Sequence, residues 1–233
     1  MRYALVHSPV VGPSTWRWVA DALRTGGHEV VVPDLVTAAR SGNPDTFAAA
    51  VVDAIGAGGG ANLTPGGTVV VGHSGAGAVL PLIAAALTEP PRRVVFVDAV
   101  LPPADGDFTA GGGFLGTLRT LARDGVLPRW SEWWAPGTLE TLVPDGRRRA
   151  AVEAELPQIP VSFYETPIRL PIGWCNRGGA YVLLSEAYRA EASRAGALGW
   201  PVVERIGGHF DIVNDGAAIA ACIAGFDGRP AAT

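Results

Sequence analysis

The sequence predicts an α/β protein: a mostly parallel sheet with helices on both faces. Three observations carry this. Short apolar runs alternate with segments of helical periodicity along most of the 233 residues, and such alternation marks βαβ units. One run, Thr68-Val69-Val70-Val71, is almost uninterrupted in its apolar character, as a strand covered on both faces must be. Gly (31) and Pro (19) are abundant enough to punctuate many turns.

In chain order, residues 3–6 read as a first strand ending in the loop His7-Ser8-Pro9-Val10-Val11-Gly12-Pro13. Ser14 is placed to cap a helix whose Trp16, Val19, Ala20 and Leu23 share one face, and Gly26-Gly27 stops it. Residues 29–32 form a second strand closed by Pro33-Asp34, and Ala48, Val51, Val52 and Ile55 mark the next helix. A Gly-rich linker, 56–67, leads to the strand at 68–71, after which 72–77 turn sharply into a helix running to about Leu87. Residues 93–97, 181–184 and 201–206 are further strands; helices follow at 186–197 and 217–226. Between the fourth and fifth strands the alternation breaks. Residues 102–179 hold helical patches at 114–123 and 146–156 and many aromatics. So long a stretch without structure is improbable in a compact domain. It reads as a mostly helical cap inserted in one domain, over the carboxyl edge of the sheet, where open α/β sheets take ligands.

The formal net charge of −4 is mild and excludes the electrostatic footprint of a nucleic-acid or anionic-lipid binder. Arg147, Arg148 and Arg149 read as a solvated helix face. Cys175 and Cys222 show neither metal spacing nor a disulfide framework. With no signal-peptide core after Met1-Arg2-Tyr3 and no run of membrane-spanning length, a cytoplasmic protein with free thiols is expected.

The strongest chemical signal is Gly72-His73-Ser74-Gly75-Ala76-Gly77, between an apolar strand and a helix. A serine there is forced into a tight, strained turn that projects its hydroxyl at the top of the sheet. The N–H of Gly75, at the helix start, faces a developing oxyanion with positive partial charge. The usual Gly-x-Ser-x-Gly has its last glycine replaced by Ala76. A phosphate loop would need a lysine or a dinucleotide spacing that is missing here. His209, in Gly207-Gly208-His209-Phe210 after the last strand, returns to the same sheet edge; serine first and histidine late is an order known for this geometry. His28 reads as a surface turn, His73 as packing beside the elbow, and His7 as ordering the first loop.

These parts, with Val6-His7 and its loop and Val97-Asp98-Ala99-Val100-Leu101-Pro102, make the chain resemble the α/β-hydrolase superfamily. The His7-to-Trp16 spacing and small cap resemble its esterase and hydroxynitrile-lyase branch most. The resemblance implies an aspartate at the position of Ala187, so the acid is displaced. Glu186 beside it and Asp98 one strand earlier are the candidates, and a site without a working acid is the third reading. Asp211 reads as a helix cap or surface group. The resemblance also implies a second oxyanion donor two residues after His7. That residue is Pro9, which has no N–H. Either Val10 supplies it through a shifted loop containing Ser8, or the hole is one donor short.

Trp130, Trp133, Trp134, Phe163, Tyr164 and Trp174 together favour a bulky apolar substrate, with Trp134 and Trp174 as lining residues. The expectation is a serine hydrolase of an ester, thioester or lactone, without cofactor or metal. A lyase or cyclase using His209 for proton transfer is the alternative, and a small-molecule binder is the third reading. The oligomeric state is left open.

Overall fold

The computed structural model describes residues 1–57 and 67–226; residues 58–66 of the Gly-rich linker lie outside them. Six strands form one sheet: β1 (Arg2–Val6), β2 (Glu29–Val31), β3 (Thr68–Ser74), β4 (Arg93–Ala99), β5 (Gly179–Leu183) and β6 (Val202–Glu204). Their spatial order is β2-β1-β3-β4-β5-β6, and every neighbouring pair is parallel. The apolar continuity of β3 has its reason in this order: Val69, Val70 and Val71 are buried between β1 and β4. The edge strands β2 and β6 are short and partly exposed.

Helices flank the sheet. α1 (Arg17–Thr25) packs on α5 (Gly216–Ala224), α2 (Pro44–Ala57) on α3 (Leu80–Ala86), and α4 (Arg189–Ala197) against β5. Among the described residues, no helix is long and apolar enough to cross a membrane. Ser14 does not cap α1. It sits in a 3₁₀ turn, Pro13–Trp16, where its N–H donates to Glu155 Oε2 (2.7 Å) and its Oγ to the Ala151 carbonyl (3.0 Å).

The segment between β4 and β5 is less helical than its composition suggests. Short helices (Gly112–Leu121, Thr138–Leu142, Gly146–Glu153, Ser162–Glu165) alternate with two antiparallel ribbons, Asp107–Phe108 with Ile168–Arg169 and Val126–Leu127 with Ile159–Pro160. Two-residue strands leave no periodicity to read. The arginine run is a solvated face only at Arg147, which is exposed. Arg148 Nη1 donates to the Val213 and Asn214 carbonyls while its guanidinium lies 5.1 Å from the Trp18 ring, and Arg149 holds the Val143 carbonyl. With Asn214 Nδ2 on the Leu142 carbonyl, the Arg148 bonds tie the segment to the sheet-bearing body.

β3 runs on through Gly72 and His73, and the turn begins at Ser74, in a strained positive-φ conformation (φ 57°, ψ −126°). The strand and the following 3₁₀ turn, Gly75–Val79, then come very close to β4. A Cβ on Gly77 would lie 2.0 Å from the Val100 carbonyl oxygen, whereas Ala76 is accommodated with its side chain buried. The close backbone approach therefore falls one residue later than the usual motif places its glycine. Gly77→Ala should cost about 2 kcal/mol or more of stability through forced backbone movement. Urea unfolding checks this, and a loss near zero would show that the elbow is not confined.

Candidate active site

Opposite the elbow, β4 carries an extra residue. The register pairs His73 with Val97 but Ser74 with Ala99, leaving Asp98 in a bulge with φ 43°. Bulges re-aim side chains. Tyr181 on β5 pins this one, taking the Ala99 N–H (3.0 Å) and donating to the Ala99 carbonyl (2.7 Å). Asp98 thereby reaches past the end of β5. Its Oδ1 accepts the N–H groups of Leu184 and Ser185 (both 2.9 Å), and its Oδ2 the Ser185 hydroxyl (2.6 Å) and His209 Nδ1 (2.7 Å). Burial alone would raise this carboxyl. The hydrogen bonds from His209, Ser185 and Leu184 outweigh it and hold Asp98 below the usual aspartate value.

His209 follows β6, in a loop whose Arg205 and Gly207 N–H groups bond back to the Leu183 and Leu184 carbonyls. A Cβ on Gly207 would stand 2.2 Å from Asp211 Oδ2, so a side chain there would require the Asp211 carboxylate to move. Asp211, at the start of a short helix, pairs with Arg205 (2.7 Å). The Asp98 bond fixes His209 as the Nδ1–H tautomer and leaves Nε2 as the basic nitrogen. His73 lies against it, ring centroids 4.4 Å apart, and donates from Nε2 to the His209 carbonyl (2.9 Å). The hydrogen bond of Ser74 Oγ is with the Tyr188 hydroxyl (3.3 Å). The Tyr188 ring lies nearly parallel to the His209 imidazole (5.3 Å, 10°). Nothing in the sequence reading singled out Tyr188. It belongs to a 3₁₀ turn, Glu186–Tyr188, where a continuous helix is expected, and that change of pitch sets its direction.

On the other flank, the Ser8–Val11 turn closes with the Val11 N–H on the Ser8 carbonyl (3.2 Å). A Cβ on Gly75 would stand 3.1 Å from Ser8 Oγ and 3.3 Å from Pro9 Cδ, so this loop lies directly beside Gly75. Pro9 is at the first central turn position, which suits its fixed φ. The N–H of Val10 takes no part in the bond that closes the turn.

Two sequence-predicted residues lie elsewhere. Glu186 is exposed and its carboxylate is held by Arg189 (2.6 and 2.7 Å); it does not meet His209. Its turn directs Tyr188 inward and Glu186 outward. Trp174 is buried against Phe96 and Trp200, with its indole N–H on the Pro103 carbonyl, and lines a separate cavity of about 400 Å³ with Pro81, Val94 and Arg177. The physical reason is that β5 is parallel, so the chain must return to the amino edge before it starts. Trp134 is half exposed and packs edge-on against Trp130, which lies 5.2 Å from Phe210 beside His209. Phe163 packs on Phe47 in the core. Both cysteines are free thiols.

His7 and His73 are both fully buried and neutral. His7 donates from Nδ1 to the Ser8 carbonyl (2.8 Å) and accepts the Leu35 N–H at Nε2 (3.0 Å). Burial lowers its pKa. Burial, and then the neighbouring His209, push His73 down to about 3. An unfolded chain protonates both below about pH 6.5, and burial in the native state opposes this, so stability is complete above that value and falls as pH drops. The slope should approach about 1.4 kcal/mol per pH unit for His73. In urea titrations between roughly pH 6 and 4.5, His73→Gln should lose close to one proton of that slope. An unchanged slope would mean that His73 takes up a proton in the native state.

A sequence model of the Alpha/beta hydrolase family matches residues 4–221, and the chain belongs to that family. An extracellular α/β-hydrolase from a Paenibacillus species, described as sharing structural and functional homology with tobacco salicylic acid binding protein 2, has a TM-score of 0.75 at 20% identity, covering 99% of this chain and 100% of its own. Polyneuridine aldehyde esterase follows at 0.73 and 15%, covering 97% and 98%. Tomato methylketone synthase I, as an H243A variant with β-ketoheptanoate, stands at 0.77 and 14%, covering 98% and 97%. None of the curated proteins matches this chain. At these identities the likeness is one of fold, and many chemistries share this fold.

Proposed function

We propose that the protein is a serine hydrolase of an ester, thioester or lactone bond in a largely apolar small molecule, working through Ser74, His209 and Asp98. The observation that carries the reading is the 2.7 Å bond from His209 Nδ1 to a buried, four-times hydrogen-bonded Asp98, at the sheet edge where Ser74 stands in a positive-φ elbow. His209 Nε2 takes the Ser74 proton as Oγ attacks the carbonyl carbon, and returns it to the leaving oxygen, or the sulfur of a thioester, when its bond to that carbon breaks. Asp98 holds the tautomer that makes this possible. The resulting acyl-enzyme is released by water in a second pass of the same steps.

Gly75 N–H, first in its 3₁₀ turn and so without an intrahelical acceptor, receives the oxyanion. Val10 N–H and the Ser8 hydroxyl are the groups beside it that can replace the donor absent at Pro9. Residues 102–179 act as a cap of one domain, and Trp130, Trp134 and Tyr164 supply its apolar lining. A fluorophosphonate probe tests the assignment directly: Ser74 should become covalently phosphonylated. An unlabelled protein that still turns over its substrate would favour a lyase or cyclase in which His209 moves protons and Ser74 only hydrogen-bonds.

A further inference from the structure

We propose that Tyr188 is a hydrogen-bond donor to the departing oxygen of the substrate, acting beside His209 on the leaving-group side of Ser74. The inference rests on the reading of Ser74 as a nucleophile and adds a group to that site.

The strand order separates two flanks. β3, which ends at Ser74, lies between β1 and β4. The Ser8-Pro9-Val10 loop follows β1 and packs on Gly75, so the oxyanion belongs to that flank. Asp98 at the end of β4, Tyr188 after β5 and His209 after β6 occupy the opposite flank. A tetrahedral carbon on Ser74 Oγ that points its oxyanion toward Gly75 therefore directs its leaving oxygen toward His209 and Tyr188. The Tyr188 hydroxyl is already 3.3 Å from Ser74 Oγ, close enough to reach an oxygen bonded to the same carbon. Its ring is held by the parallel contact with His209, which aligns the phenol with the imidazole it assists. Supply of the acid from the β4 bulge is what leaves the turn after β5 available for a tyrosine.

The chemistry balances without a proton from Tyr188. Ser74 gives its proton to His209 and Oγ bonds to the carbonyl carbon, moving the π pair onto oxygen. On collapse that pair re-forms the carbonyl, the C–O bond to the leaving group breaks with its electrons on the departing oxygen, and the His209 proton goes there. Tyr188 stabilises the charge on that oxygen through its O–H and keeps its proton throughout. Burial pushes its phenol up to about 12, so it is a neutral donor across the working range.

The test is leaving-group dependence. Tyr188→Phe keeps the ring and removes only the hydroxyl. For ethyl butyrate, kcat/KM should fall by about 30-fold, whereas for p-nitrophenyl butyrate, whose phenolate leaves without help, the loss should stay below about threefold. Fluorophosphonate labelling of Ser74 in the variant shows that the elbow is intact. Equal losses for both esters, or no loss for either, with Ser74 still labelled, would overturn the role of Tyr188 and leave the hydrolase reading standing. A wild-type protein that neither labels at Ser74 nor hydrolyses any ester would overturn both. Should Tyr188→Phe fail to fold, 3,5-difluorotyrosine at position 188 gives the second measurement. Its more acidic phenol should bring an alkaline fall in ethyl butyrate turnover into the accessible pH range and leave the p-nitrophenyl profile unchanged. Unchanged profiles for both esters would overturn the proposal.

Discussion

Ser74→Ala should lower kcat for a short p-nitrophenyl ester by about 10⁴-fold or more. The elbow gives this substitution its size. Ser74 sits at φ 57°, a conformation disfavoured for any side chain larger than hydrogen, and the fold holds it there between β3 and the 3₁₀ turn beginning at Gly75. Alanine adopts the same backbone and takes up similar space, so the fold survives and only the oxygen is lost. Hydrolysis then depends on water attacking within the remaining site. The Gly75 N–H and the apolar surroundings are intact in the variant, so a residue of activity above background is expected from them. Burst kinetics with the wild type, and mass spectrometry of the phosphonylated protein, separate loss of the nucleophile from loss of binding. A Ser74→Ala protein that retains even a tenth of wild-type turnover would remove the covalent step.

Asp98→Asn should produce a loss of similar order, about 10⁴-fold in kcat, while Glu186→Gln changes it by less than about twofold. Asp98 Oδ1 receives two backbone N–H groups, and an asparagine carbonyl oxygen can keep both bonds. Its amide nitrogen then faces Ser185 and His209, where Oδ2 now accepts two hydrogen bonds. That nitrogen donates and cannot accept. His209 Nδ1 must give up its proton to become the acceptor, which puts the proton on Nε2 and removes the base of the proposed mechanism. Glu186 has no comparable link. It is exposed and paired with Arg189 on the surface. Measurement of kcat/KM for both variants across pH decides between the two acids. An Asp98→Asn protein with near wild-type rates, or a Glu186→Gln protein with a large loss, would reverse the assignment.

The sequence by itself determined the class of fold, because hydrophobic periodicity and turn residues are local properties. All six strands of the sheet lie where apolar runs stand, and the elbow at Ser74 follows from small residues flanking a serine between a strand and a helix. The late position of His209 after the last strand was legible for the same reason. The pairing of that histidine was not. Asp98 lies at the end of β4 and Glu186 follows the neighbouring β5, and only the bulge at β4, pinned by Tyr181, swings Asp98 across to the end of β5. A one-residue shift in register leaves no mark in composition. Tyr188 was hidden likewise, since its direction depends on a 3₁₀ turn replacing the first turn of an expected helix. Trp174 shows the reverse case. Aromatic content suggested a pocket wall, but the direction of β5 carries that residue to another cavity. Local chemistry names the groups that a site of this kind requires; the register, twist and direction of the strands decide which of them meet, because those are set by contacts between residues far apart in the chain.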